Sequence, residues 1–415
     1  MNIGMVTEEL PYLPSAGGFR LYGANLIRGL SRRHRVDLIS LVQDGDERHL
    51  DWARTYCASV RVIPVKTLGR WSAAASLLSA HLWGKPLRQR AEMAHMLKTY
   101  ADDWDVMHVE GEYVGGLLPP LAFPKILSVH DSWTLKCEEM LKCSQSLKET
   151  LYYRMMCWHE PRYERLVYPR FQRVVVVAER DQEAVRKTVP NSRVTVIGNG
   201  TDTHYFHPVP VEKDSTMVFH GHLGYAPNVQ AACEFVEEVL PLVRREVPDA
   251  TFHLVGASPH PKIEALARRP GIRLSANLPD LRAAVCSARV YVSPIRHGTG
   301  VKNKILEAMA MRLPIVCSPD SIDGIRCVPG THLMVARTPA ECASHILGLL
   351  SRPHEADRLA ASARTWVEQE YSWESRIHAY EALYEQAINE RTSTGDFARG
   401  EAVLDLGRTQ RESQS

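Results

Sequence analysis

The residues best suited to binding chemistry lie in one segment, Val290–Val316, where a short apolar run is followed by glycines, lysines and a glutamate. Gly298 and Gly300 lack side chains, so backbone N–H groups there can approach a ligand closely. A helix is predicted to start directly after them, and its positive end would face that ligand. Lys302 and Lys304 fall in its first turn, where cations oppose the helix dipole. This arrangement favours an anion as the ligand.

Glu307 lies about seven residues beyond the glycines, roughly 10 Å along the predicted helix. A carboxylate only accepts hydrogen bonds and suits two neighbouring hydroxyls, such as those of a ribose. A diphosphate at the helix tip and a ribose beside the helix would together be a nucleotide. The alternative is an ordinary amphipathic helix in which Ile305, Leu306 and Met309 pack on a sheet and Glu307 is solvated. Spacing alone leaves both interpretations open.

The chain as a whole has the composition of a globular protein, with 45% hydrophobic and 24% charged residues among 415. Its length predicts two or three domains of about 150 residues each. A formal net charge of +2 gives no indication of nucleic-acid binding. No apolar run reaches the ~18 residues of a membrane-spanning helix, and Met1–Val6 is predicted to be a strand rather than a signal peptide. We therefore expect a cytoplasmic protein, in which nine scattered cysteines are reduced.

Short apolar runs alternate with helical patterns, which predicts an α/β protein with parallel sheets built from βαβ units. We expect two doubly wound, Rossmann-like domains, over 1–205 and 212–375, whose sheets face each other across a cleft. A closing helix at 376–390 is predicted to return to the N-terminal domain, and 391–415 to be a disordered tail. Strands are predicted at 2–6, 35–41, 60–64, 105–109, 125–129, 172–177, 194–197, 216–220, 251–255, 272–274, 289–292, 314–316 and 332–335.

Several short motifs follow one another in a fixed order. A glycine loop at 14–18 follows the first strand, Val129–Asp131 ends a later strand, and Asn199–Asp202 precedes the domain boundary. Phe219–Gly221 opens the second domain, and Glu307–Ala310 belongs to the helix described above. Each motif alone is common, but the series resembles the retaining glycosyltransferases of family four, which have the GT-B fold. More narrowly, it is similar to bacterial polysaccharide-associated members.

The resemblance implies transfer of a sugar from a nucleotide-diphosphate sugar to an acceptor, with retention at the anomeric carbon. The C-terminal domain would hold the nucleotide, with UDP favoured and GDP second, and neither a metal nor another cofactor is expected. The acceptor would be a saccharide, a lipid-linked molecule or a small molecule, and the N-terminal domain would shape its site.

The resemblance also assigns roles to single residues. His130, at the end of a predicted strand, would contact the donor sugar near the reaction centre, and Glu307 would bind the ribose hydroxyls. These two are the catalytic candidates. Gly17 and Gly18 would let the first loop approach the phosphates and the sugar, and Gly221 lies in the equivalent loop of the second domain. A structural histidine and ordinary tight turns are the alternatives.

Two departures from the family pattern concern the donor. Thr299 occupies the place of the family's first glutamate, so its hydroxyl or nearby N–H groups would replace that contact. An Arg and a Lys that hold the diphosphate are also missing, since His222 and the pair Pro227–Asn228 occupy their places. A departing diphosphate needs electrostatic stabilisation, and Arg296 and Lys302 are the candidates, with ordinary surface charges as the alternative. The predicted donor-binding residues are Gly17, Gly18, Gly221, Arg296, Gly298, Thr299, Gly300, Lys302 and Glu307.

The sequence also contains features that could indicate other functions. We interpret the Asp-x-Asp patterns at 44–46 and 103–105 as turn and cap residues rather than a metal site. Segment 133–170 interleaves aromatic residues with Lys and Arg, which would suit a weak peripheral contact with the inner face of the membrane. Its five glutamates favour ordinary packed helices instead. A sugar-nucleotide 2-epimerase of similar fold and a non-catalytic, nucleotide-binding pseudo-transferase are the alternative functions.

Overall fold

The computed structural model describes residues 1–13, 18–65, 87–121, 123–144, 146–213, 215–296 and 301–393. Contacts divide the chain into two compact units. The first consists of Met1–Val176, Gln182–Thr195 and the chain from Ala379, and the second of Val177–Asp181 and Val196–His378. The glycine loop residue Gly17, the loop residues 297–300 and the tail beyond 393 lie outside the described residues.

The first unit is built on a seven-stranded sheet of order β3-β2-β1-β4-β5-β6-β7, whose ladders from β3 to β6 are parallel. Its strands are β1 (Asn2–Thr7), β2 (Arg35–Gln43), β3 (Ser59–Val65), β4 (Val106–Glu110), β5 (Lys125–His130), β6 (Arg173–Val176) and β7 (Val194–Val196). The helices along this part of the chain are α1 (Gly18–Leu30), α2 (Leu50–Tyr56), α3 (Leu87–Tyr100), α4 (Glu112–Leu117), α5 (Trp133–Cys143), α6 (Leu147–Val167) and α7 (Glu179–Thr188).

The second unit is built on a six-stranded parallel sheet of order β10-β9-β8-β11-β12-β13. Its strands are β8 (Ser215–His222), β9 (Phe252–Ala257), β10 (Ile272–Ala276), β11 (Ala288–Ser293), β12 (Ile315–Cys317) and β13 (Met334–Val335). Its helices are α8 (Ala226–Glu234), continued by a π-helical turn (Phe235–Val239), α9 (Leu240–Glu246), α10 (Pro261–Leu266), α11 (Arg282–Cys286), α12 (Asn303–Ala310), α13 (Pro339–Ser351), α14 (Pro353–Glu370) and α15 (Trp373–Ser393), the last continuing into the first unit.

The predicted doubly wound α/β fold is confirmed, because each predicted strand overlaps one of the observed strands. Parallel strands covered on both faces are nearly continuous buried runs, and β4 and β5 are buried at every position. In β8 the side chains alternate between two cores. Phe219 packs with α8, α9 and α13, whereas Val218 packs with α11, α12 and α14. Polar side chains at the strand ends therefore lie above a fully packed interior.

The first sheet also contains a position that only glycine can occupy. A Cβ atom at Gly4 in β1 would lie 2.0 Å from Cε3 of Trp104. Trp104 is buried, and its indole N–H donates to a carboxylate oxygen of Asp37 at 3.3 Å. The absence of a side chain at Gly4 thus lets the indole pack directly against β1.

We expect Gly4→Ala to lower the free energy of unfolding by about 3 kcal/mol, because the added methyl group must displace a packed ring. Gly18→Ala is the matched control, since a Cβ there meets nothing within 4 Å and the residue begins a helix. Urea unfolding followed by circular dichroism measures both. Equal midpoints for Gly4→Ala and the wild type would contradict this account of the Gly4 contact.

Candidate functional site

His130 ends β5 at the carboxyl edge of the first sheet. Its φ of 62° lies in the left-handed region that residues with side chains rarely adopt, and the ladder to β6 shifts register beside it. The ring is 8% exposed and packs against Phe19 and Tyr22 of α1, with centroids 4.2 and 4.5 Å apart. Gly18 begins α1 and directly precedes Phe19 in the chain. The structure therefore brings His130 together with the start of α1.

A buried carboxylate that the sequence analysis did not identify holds His130. Glu110 ends β4, the neighbouring strand, and one of its oxygens is hydrogen-bonded to Nε2 of His130. Its other oxygen lies 2.8 Å from Nε2 of His108, whose Nδ1 is 2.8 Å from the hydroxyl of Tyr384 in α15. Because the carboxylate only accepts, both histidines donate from Nε2. Nδ1 of His130 is then the ring nitrogen that can meet a ligand.

The charge of Glu110 follows from this arrangement. Burial would raise the pKa of the carboxyl group, but the adjacent His130 and His108 lower that pKa to about 2. The group is therefore ionised at neutral pH inside the sheet. It fixes the orientation of His130, whose backbone conformation is already unusual.

In the second unit, Gly221 at the end of β8 makes room for a lysine. Its φ of 146° favours glycine, and a Cβ atom there would lie 3.1 Å from the ammonium nitrogen of Lys304. That nitrogen donates to Oδ1 of Asn228 at 2.5 Å, while Nδ2 of Asn228 donates to the carbonyl of His222 at 2.8 Å. Burial lowers the pKa of Lys304 to about 7, although Glu307 acts in the opposite direction. The amine of Lys304, which a nearby anion would protonate, thus lies directly beside the loop after β8.

Glu307 occupies the same side of α12 as Lys304, one turn further along. One carboxylate oxygen lies 2.7 Å from Nε2 of His220 in β8, and no other hydrogen bond to this carboxylate occurs among the described residues. The side chain is 22% exposed, so its second oxygen is available to a ligand. His220 is buried, and within the described ranges its Nδ1 has no partner. Glu307 is therefore an oriented acceptor rather than the solvated side chain of the alternative interpretation.

Lys302 and Arg296, the two basic residues predicted to bind the sugar donor, lie in different surroundings. Lys302 is not in the first turn as predicted, because α12 begins at Asn303 and Lys302 is its N-cap residue. Arg296 pairs with Glu238 at 3.0 Å and with Glu234 at 3.6 Å. These glutamates belong to the helical segment that packs on the opposite face of the sheet from α12. The structure does not bring Arg296 together with Glu307, and Gly298, Thr299 and Gly300 lie outside the described residues.

The two Asp-x-Asp patterns have structural partners. Asp46 accepts the backbone N–H of Gln43 at 3.2 Å, as expected of a turn residue, and its buried carboxylate also forms a bidentate pair with Arg20, at 2.8 and 3.1 Å. Asp105 accepts the backbone N–H of Asn2 at 2.7 Å. Both aspartates therefore tie parts of the first unit together.

His220 and Glu110 were not predicted from the sequence, and Lys304, although placed in the first turn of the predicted helix, was not among the predicted donor-binding residues. Glu110 and His108 alternate with apolar residues in β4, so they share one face of the strand. Two polar residues on one face of a strand that is predicted to be buried indicate a paired polar site. For Lys304 the signal was its spacing of three residues from Glu307, which places both side chains on one side of a helix.

Two Rossmann-like domains with polar groups at the carboxyl ends of their strands place this chain in the GT-B class of folds. Residues 16–205 match the model of Glycosyltransferase Family 4, and residues 214–352 match that of Glycosyl transferases group 1. The two matches together span both domains. The chain belongs to the family-four-like glycosyltransferases of the GT-B fold.

Known relatives are distant in sequence. An uncharacterized 44.6 kDa protein in the cps region of Klebsiella pneumoniae is 22% identical over 388 residues, covering 89% of this chain and 96% of that protein. Sucrose-phosphate synthase from Thermosynechococcus elongatus has a TM-score of 0.64 at 16% identity, covering 94% of this chain and 99% of its own. Anabaena HepE in complex with UDP and glucose has a TM-score of 0.59 at 15% identity, covering 93% and 100%. These structures share the fold.

The low pKa of Glu110 makes stability depend on pH. A carboxyl group with a folded-state pKa of about 2 against an ordinary 4.5 adds stability above about pH 4.5, and that stability is lost as the pH falls toward 2. We expect Glu110→Gln to lower the free energy of unfolding at neutral pH by about 3 kcal/mol and to flatten its acid dependence. Denaturant unfolding at several pH values measures this.

Glu183→Gln is the matched control, since Glu183 is an exposed carboxylate in the first unit. It should leave the unfolding curves unchanged. A Glu110→Gln variant with the full acid dependence of the wild type would show that another group is responsible.

Proposed function

We propose that this protein is a retaining glycosyltransferase that moves a sugar from a nucleotide-diphosphate sugar, with UDP favoured and GDP second, to a hydroxyl group of an acceptor. The observation that carries the proposal is the pairing of Glu307 with His220 beside Lys304 at the end of β8. An oriented acceptor and a cation lie one helical turn apart, roughly 5 Å along the axis. That spacing matches a ribose next to a diphosphate.

The diphosphate would lie at the loop after β8. Gly221 leaves room for the side chain of Lys304, which would supply the positive charge that was predicted for Arg296 and Lys302. The N-terminus of α12 adds unpaired N–H groups. No bound metal is part of this proposal, because these groups would stabilise the leaving diphosphate.

Support for the nucleotide comes from HepE, a structure of the same fold bound to UDP and glucose. Support for the pathway comes from the relative in a cps region, which fits an acceptor in polysaccharide synthesis. The acceptor is proposed to be a saccharide, a lipid-linked molecule or a small molecule. The proposal places the protein in the cytoplasm, with a weak peripheral contact at the inner face of the membrane.

His130 is proposed to contact the donor sugar through Nδ1, since Glu110 occupies Nε2. Retention would then follow from attack on the same face from which the diphosphate departs, with a phosphate oxygen accepting the acceptor's proton. The anomeric configuration of the product, determined by NMR, tests retention. Conversion of the donor without an acceptor would instead indicate the 2-epimerase.

Thermal unfolding with UDP, GDP, ADP and TDP tests the nucleotide site. A ligand at ~100 times its Kd should stabilise the protein by about 2.7 kcal/mol, a shift of several degrees. We expect the shift with UDP and its loss in Glu307→Ala, because the ribose loses its acceptor. Glu246→Ala removes an exposed glutamate of the same unit and should keep the shift. No shift with any of the four nucleotides would refute the proposed site.

The pKa of Lys304 predicts how UDP binding depends on pH. With a pKa of about 7, its amine is largely neutral at about pH 8, and a diphosphate beside it would favour the ammonium form. We therefore expect UDP binding at this pH to take up close to one proton and to weaken as the pH rises further. Calorimetric titrations in buffers of different ionisation enthalpy measure the uptake.

Lys304→Met should abolish this proton uptake and weaken UDP binding. The control is Lys262→Met, which removes an exposed lysine of the second unit and should change neither. Unchanged uptake in Lys304→Met would assign the proton to another group. UDP itself contributes little, since its phosphates are already ionised at this pH.

A further inference from the structure

The outer surface of α6 in the first unit is unusually apolar. Leu147, Leu166 and Leu151 are 86%, 71% and 69% exposed, more than any other large apolar side chain in the described part of the chain. Trp158 on the same helix is 53% exposed. At about 100° per residue, Leu147, Leu151 and Trp158 fall within roughly 40° of one another around the helix axis. An apolar strip therefore faces outward, where packing does not account for it.

The acidic residues of α6 have the opposite orientation. Glu160 and Glu164 are buried, and one oxygen of Glu164 accepts the backbone N–H of Thr134 at 3.1 Å. Thr134 lies in the first turn of α5, where unpaired N–H groups and the helix dipole favour a carboxylate. Capping of α5 thus withdraws negative charge from the outer surface of α6. Three of the five glutamates that had argued against a membrane contact, Glu149, Glu160 and Glu164, thus lie on the side of α6 away from the apolar strip.

Cations accompany the apolar strip. The guanidinium group of Arg162 lies 4.1 Å from the ring centroid of Trp158, and the exposed basic residues of the helix are Lys148, Arg154, Arg162 and Arg165. Their positions fall within about 100° of Leu147. The exposed carboxylate of α6, Glu149, is two residues from both Leu147 and Leu151, hence roughly 160° around the helix from each.

We propose that this outer face of α6, defined by Leu147, Leu151, Trp158 and the accompanying cations, docks on the surface of an anionic lipid bilayer. Leucine and tryptophan would enter the headgroup region while arginine and lysine bind lipid phosphates. Each cation near such a surface adds to the attraction. The contact is peripheral, because no described helix combines the length and apolar character needed to span a membrane.

The positive charge of this face of α6 favours a bilayer over a second copy of this chain as its partner. A symmetric dimer through the same face would place arginine against arginine, whereas anionic lipids neutralise all four cations.

Docking also has a consequence for the site, since α5 begins three residues after His130, at the edge where β5 ends. An acceptor anchored in lipid would be presented close to that edge.

The inference rests on the membrane contact included in the proposed function, but its test does not depend on sugar transfer. The full chain is sedimented with vesicles of phosphatidylcholine alone and with vesicles containing about one third phosphatidylglycerol. We expect binding to the anionic vesicles, weakened by salt and at least tenfold weaker to the neutral ones. Leu147→Ser with Leu151→Ser, and Arg154→Glu with Arg162→Glu, should each reduce anionic binding at least tenfold.

Matched controls come from the second unit. Val328→Ser removes a half-exposed apolar side chain, and Arg268→Glu reverses an exposed charge. Both should bind vesicles like the wild type. Unchanged circular dichroism and thermal midpoints of all variants show that folding is intact, and the UDP-induced thermal shift, which should persist in them, reports separately on the nucleotide site.

Fluorescence quenching by brominated lipid locates the contact. We expect quenching of the wild type to fall in Trp158→Phe, which should still bind. Absence of vesicle binding, equal binding to neutral and anionic vesicles, or quenching that Trp158→Phe leaves unchanged would each overturn the proposal. So would a dimer in sedimentation velocity that the double serine variant dissociates, since α6 would then be an interface between copies.

Discussion

The first unit depends on a carboxylate that is buried without access to water. Glu110 is stable there only because two histidines donate to it, one from its own strand and one from β5. Through His108 and Tyr384 the same network reaches α15, so the end of the chain, β4 and β5 share one polar cluster. A buried charge of this kind tolerates little displacement of its partners. The orientation of His130 is thus fixed by the interior rather than by its own loop.

The second unit contains a similar histidine–glutamate pair, His220 and Glu307, that is more exposed. His220 is as buried as His108, but Glu307 is 22% exposed, whereas the side chain of Glu110 is 3% exposed. A histidine below and solvent above leave Glu307 oriented yet accessible, as a binding group requires. Lys304 lies beside this pair. Its burial lowers the pKa of the amine to about 7, a cost that a bound anion would relieve.

The fold could be predicted from the sequence because strand burial and helix periodicity are local patterns. Glu307 could be named as a candidate as well, since it belongs to a helix that the sequence predicts. The residues that Glu110 and Lys304 contact could not be predicted from the sequence. Glu110 meets His130 through the pairing of β4 with β5, which sets Glu110 opposite Ser128, and Lys304 meets Asn228 across 76 positions of sequence. Such contacts depend on the packing of separate elements, and a linear pattern does not contain them.

Helix α6 shows how composition can mislead when orientation is unknown. Counted along the chain, its acidic and basic residues nearly cancel, which favours an ordinary packed helix. In three dimensions they separate, because Glu164 caps α5 and draws the acidic face inward. The same capping that stabilises the α5–α6 hairpin therefore leaves arginine and leucine together outside. A surface of this kind follows from internal packing, because the contact between Glu164 and Thr134 sets which side of α6 faces inward.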